Sequence, residues 1–130
     1  MANMLKVKAL LAKILNCMPT SSGVTVSAGS GLNVENVNIT RMGNYVTGSL
    51  RARSTGSHSA NAWVKIATVS AHPKAHAYFP AMIYDRSGTG ANHYLDTELW
   101  ANTSGELQVY PGVAVVDNDI VYVSFSFMAN

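Results

Sequence analysis

Asp96 and Glu98 are the residues of this chain whose types and spacing come closest to catalysis. One residue apart on a predicted strand, they face the same side, with Cα atoms roughly 7 Å apart. That separation is near the one glycoside hydrolases use for their two carboxyl groups. The same pair is equally at home on an exposed strand, and so small a domain offers no evident deep cleft. His72 and His76 raise a metal centre, but Pro73 blocks the helix that would align them. On a strand they would sit roughly 13 Å apart, too far for one ion. His58 and His93 have no Cys or carboxylate at metal-site spacing. A metal on a symmetry axis, with one His from each subunit, is the arrangement left open beside ordinary loop histidines. No Gly-x-Ser-x-Gly, activated cysteine or phosphate loop is present, and Gly88-Thr89-Gly90 sits in a loop rather than between strand and helix. The reading is therefore of a non-enzyme with no catalytic residue, metal or cofactor.

Binding chemistry is better represented. Tyr84-Asp85-Arg86 and Asn92-His93-Tyr94 flank one glycine-rich loop, so the six residues are expected to lie close together. Aromatic faces stack on sugar rings while Asp, Arg and Asn hydrogen-bond hydroxyls, which suits saccharide recognition. The competing expectation packs both tyrosines into the fold and leaves the loop merely mobile. Trp63 and Trp100 are read as mid-strand residues of the core or of a subunit interface.

The elements that would position these groups are short strands. Val24 and Val26 alternate at the end of a Ser/Thr/Gly-rich linker, and Val34, Val37 and Ile39 mark a second strand. Met42-Gly43-Asn44-Tyr45 has the composition of a tight hairpin turn, because Gly and Asn tolerate positive φ. Strands are expected over 45–53, 62–69, 76–85, 93–101 and 106–110, with Pro80 placing its strand at an edge or bulge. In the closing segment Val121, Val123, Phe125 and Phe127 alternate with Tyr122, Ser124 and Ser126, the pattern of a half-buried antiparallel strand. About eight such strands predict a mainly β fold, an antiparallel sandwich of jelly-roll type, over residues 20–130.

Residues 1–19 differ from all of this. Met4, Val7, Leu11, Ile14 and Met18 step by 3, 4, 3 and 4, the rhythm of a coiled-coil seam. Asn3 can cap such a helix and Pro19 stops it. A helix this short is marginal alone in water, so its stripe needs a partner, and the simplest partner is a copy of itself. Leu5, Leu10 and Leu15 widen the stripe, which suits three strands, or docking onto the β-domain, better than a slim dimer.

Composition narrows the function classes. Charged residues are 12% of the chain, about half the usual share of roughly 25%, so the surface is either rich in Ser, Thr, Asn and Gly or hidden between subunits. A net charge of +2 without a basic cluster argues against nucleic acid. No stretch approaches the roughly 20 apolar residues of a membrane-spanning helix. The single Cys17 has no internal partner, and a reduced thiol near the seam is expected rather than an intermolecular bridge.

Three stretches together resemble the small trimeric β-domains of bacteriophage fibres, collars and receptor-binding proteins. Ile39 to Leu50 is similar to their early hairpin with Gly-Asn at its turn. Leu99 to Tyr110, with Gly105 before Glu106-Leu107-Gln108-Val109, is similar to their late strand-turn-strand. Ile120 to Phe127 is similar to their terminal strand. The resemblance implies a homotrimer assembled in the host cytoplasm into a virion, its helix joined to other virion proteins, its β-domain decorating the surface or attaching to host glycan. No site residue transfers from it, because these domains share a frame while their binding loops differ. The expectation is a structural fibre, collar or head-decoration protein; the alternative is a stand-alone lectin-like or cytokine-like jelly-roll module.

Overall fold

The computed structural model describes residues 2–17, 23–86 and 94–130. One helix, α1 (Ala2–Cys17), precedes eight strands: β1 (Val26–Ala28), β2 (Leu32–Met42), β3 (Tyr45–Ser54), β4 (Val64–Val69), β5 (Ala77–Tyr84), β6 (Tyr94–Ala101), β7 (Glu106–Val109) and β8 (Ile120–Met128). The fold is mainly β, as expected, with every strand pairing antiparallel. Asn3 lies inside the first turn of α1 rather than capping it.

All eight strands belong to one sheet in the order β1-β4-β7-β6-β5-β8-β3-β2. Its two outer strands, β1 and β2, are consecutive in the chain and joined by Gly29–Gly31, so the sheet curls nearly into a barrel. The Gly29 N–H donates to the Ile66 carbonyl on β4 at 2.9 Å, and the Thr55 N–H after β3 donates to the Gly31 carbonyl at 2.9 Å. This corner thereby bridges both ends of the sheet. Two Greek keys share the meander β5-β6-β7: β8 returns beside β5, and β4 lies beside β7. That is the jelly-roll logic of two interlocked keys, built here in one curled sheet.

Strand alternation puts one side of each strand inside. Val121, Val123, Phe125 and Phe127 of β8 are buried, and they meet Val46, Leu50, Ile83, Leu99, Leu107 and Val109 in a single core. Each such side chain contributes about 1.5–3 kcal/mol by leaving water. At Met42-Gly43-Asn44-Tyr45 the expected hairpin forms, with Gly43 at φ 60°. In β2 the register shifts between Glu35 and Asn38, and Asn36 takes φ 50°; this is a bulge that bends the outer strand. Pro80 pairs Glu98 on β6, while the β5–β8 ladder runs only over Ala81–Tyr84. Proline has no N–H to give to β8, so the ladder stops where the sequence placed an edge or bulge.

Candidate functional site

Tyr84 closes β5 and Tyr94 opens β6, and the two face each other across the ladder. Their rings stand 4.8 Å apart at 37°, on the outer face of the sheet, with Tyr94 60% exposed. Such tilted pairs are an ordinary aromatic contact, and here they leave ring surface open to water. The two tyrosines therefore do not pack into the core, the competing expectation for them.

The row continues across two more strands. Ile120 on β8 is opposite Tyr84, and Arg53 on β3 is opposite Ile120. Arg53 thus stands roughly 10 Å from Tyr84 on the same face. Beyond Tyr84, Arg86 joins Arg53, Asp117 and Asn118 around a cleft of about 360 Å³. Two guanidinium groups, a carboxylate and an amide at the rim of an aromatic platform supply both stacking and directional hydrogen bonds.

Asp119 holds this end together. It is 1% exposed, and its carboxylate accepts the Arg86 N–H through Oδ1 and the Val116 N–H through Oδ2, each at 2.9 Å. Its carbonyl accepts the Ser54 N–H at 2.8 Å, while the Asn118 N–H donates to the Ser54 carbonyl at 2.8 Å. One residue thereby joins the ends of β3, β5 and the segment entering β8. Asn118 takes φ 70° to make the turn, a conformation asparagine tolerates.

Of the six residues expected here, Tyr84, Asp85, Arg86 and Tyr94 lie at this end of the sheet, and Asn92 and His93 lie outside the described residues. Arg53, Asp117, Asn118 and Asp119 were not anticipated. Asp117-Asn118-Asp119 carried a usable signal, since such runs hydrogen-bond neighbouring backbone and build turns. Arg51 and Arg53 alternate along β3, a pattern that by itself suggests only a solvated face. Arg53 and Arg51 flank Glu35, donating through Nε at 3.0 and 2.8 Å respectively. The hydrogen bond from Arg53, reinforced by the charges of both arginines, holds the Glu35 carboxyl below its ordinary 4.5.

Asp96 and Glu98 do share the outer face, opposite Met82 and Pro80. Among the described residues no group of three His, Cys, Asp or Glu side chains could hold a metal ion, and no helix is long and apolar enough to cross a membrane. The tryptophans correct the core reading. Trp63 lies in the turn before β4 and Trp100 on the outer face of β6, where its strand phase matches Asp96 and Glu98.

On α1 the seam residues Met4, Val7 and Leu11 are each more than half exposed, as are Leu5 and Leu10. The side chains of Ile14 and Cys17, and Met18 altogether, lie outside the described residues. Comparison with known proteins returns no matching family model and no matching curated protein.

Proposed function

We propose that this chain is a non-enzymatic structural component of a bacteriophage virion, a trimeric fibre, collar or head-decoration protein whose β-domain contacts host-surface saccharide. The observation that carries the reading is the uncovered apolar stripe of α1. The β-domain buries its own core completely, yet Met4, Val7 and Leu11 remain in solvent at heptad spacing. Burying such a stripe against two copies removes the exposed apolar area and gives the short helix the tertiary support it lacks alone.

The trimer multiplies whatever the Tyr84–Tyr94 end binds. Three modest sites held together engage a repetitive surface far more tightly than one, with no new contact required. The absolute mass in solution, by light scattering on a sizing column, tests the reading. The full chain is expected at three times its 13.9 kDa monomer mass. A double variant, Val7→Glu with Leu11→Glu, is expected to run as a folded monomer. A monomeric full chain would remove the fibre reading and leave the stand-alone lectin-like module, which the exposed Tyr94 platform also serves.

A further inference from the structure

Trp63 and Trp100, the two tryptophans of the chain, lie 5.4 Å apart, ring centroid to ring centroid. Tyr110 meets Trp63 edge-on at 5.3 Å, and His76 lies 5.5 Å from Trp100. Trp100 sits on β6 six residues beyond Tyr94, roughly 20 Å away along the strand. This is therefore a second aromatic cluster, separate from the Tyr84–Tyr94 end. It stays open to solvent, with Trp63 40% and Tyr110 42% exposed.

Trp63 also forms one wall of a cleft of about 400 Å³ whose other lining includes His58, Ser30, Ser57, Ser59 and Lys65. One indole wall beside three hydroxyls, an imidazole and an ammonium is a mixed lining. The Lys65 ammonium is already paired with Glu106 at 3.4 Å, but a flat apolar protein partner would leave the three hydroxyls desolvated and unpaired, whereas a hydroxylated ring satisfies both kinds of surface.

The loop that carries Trp63 is held in place. His58 and Val115 exchange backbone hydrogen bonds at 2.7 and 3.0 Å, and the Asn61 N–H donates to the Pro111 carbonyl at 2.8 Å. Asn61 takes φ 55° to complete the turn. Contacts with Trp100 and Tyr110 then brace the indole, so little ordering is needed when a ligand arrives. Trp100 Nε1 is, among the described residues, the one buried side-chain donor with no acceptor.

We propose that the cleft against Trp63 is a saccharide-binding site, taking a pyranose ring stacked on the indole with its hydroxyls on Ser30, Ser57 and Ser59. It does not rest on the Tyr84–Tyr94 site or on the trimer.

Because both tryptophans stand in this cluster, the intrinsic emission of the full chain reads the site directly. Titration with lactose, cellotriose, chitotriose and trigalacturonic acid, each to about 10 mM, is expected to shift that emission for at least one sugar. Trp63→Ala is expected to weaken that binding at least tenfold, followed by saturation-transfer NMR from the sugar protons. Ser59→Tyr, which fills the cleft and leaves all four rings of the cluster in the chain, is expected to do the same with an unchanged far-UV spectrum. Tyr94→Ala is expected to leave the emission response intact. Silence of all four sugars overturns the proposal, and so does binding that survives Ser59→Tyr or is lost only with Tyr94→Ala.

Discussion

The Asp119 carboxylate accepts the backbone N–H of Arg86 at 2.9 Å, across 33 residues of chain. The contact joins the end of β5 to the turn that starts β8, and so fixes where Arg86 meets Arg53, Asp117 and Asn118. Asp119→Ala leaves the Arg86 and Val116 amides without that acceptor in a partly buried setting. The expected loss is about 2–3 kcal/mol in urea unfolding with an unchanged m-value. Asp119→Asn keeps one acceptor oxygen and should lose about half as much. A wild-type midpoint for Asp119→Ala would show that the carboxylate does not organise this end.

Two carboxylates should shape the acid limb of stability. Glu35 is held below its ordinary 4.5 by its hydrogen bond from Arg53, and Glu106 by hydrogen bonds led by that from Asn102 at 2.9 Å. A depressed folded value means that both groups stabilise the fold above pH 4.5 and that this contribution disappears as pH falls through the folded values. Glu35→Gln and Glu106→Gln should therefore flatten the loss of stability below pH 4.5 while lowering the plateau at neutral pH. Both groups are largely solvated, so the effect should shrink in high salt. Unfolding midpoints measured from pH 7 down to about 3 check this, and an acid limb with the wild-type slope in both variants would refute it.

Gly29 turns the corner from β1 to β2 with its backbone against β4. A Cβ there would stand 2.0 Å from the Lys65 carbonyl oxygen, and neither group is a flexible side-chain end that can move aside. Gly29→Ala should cost about 3 kcal/mol, near the top of what overpacking costs in a packed interior. Gly56→Ala, where an added Cβ meets nothing within 4 Å, is the control and should change stability little. Thermal unfolding of the two variants side by side tests whether the near-closure of the sheet depends on that contact.

Tyr94→Ala should separate binding from folding. The side chain is mostly exposed and its ring packs against Tyr84, so stability should fall by about 1 kcal/mol or less. Binding to a glycan array, if carried by this platform, should fall about fivefold or more while the solution mass is unchanged. Undiminished array binding would remove the tyrosine pair from the receptor contact.

Much of the architecture is written in local pattern. The alternation of Val121, Val123, Phe125 and Phe127 decided which face of β8 enters the core, because successive side chains on a strand point to opposite sides. Gly43-Asn44 marked the hairpin, Pro80 marked the break in the β5–β8 ladder, and the 3,4 stepping of Met4, Val7 and Leu11 marked the helix. All of these depend on neighbours within a few residues. Trp100 was legible too: its phase with Asp96 and Glu98 puts it outside, although its residue type suggested the core.

Other features required distant parts of the chain to meet. Val64 pairs Val109, and β1 and β2 close on each other at Gly29–Gly31, through contacts that no periodicity encodes. Asp119 became the organiser of one end only because β3, β5 and β8 are neighbours in the sheet. Trp63 joined Trp100 because the β4 and β6 ends lie across β7. Sequence by itself determined which residues are inside and where the chain turns, since sterics and hydrophobic period act locally. Only the tertiary structure decided which strands pair and which exposed groups share a cleft, since long-range pairing is chosen by the best burial of the whole sheet at once.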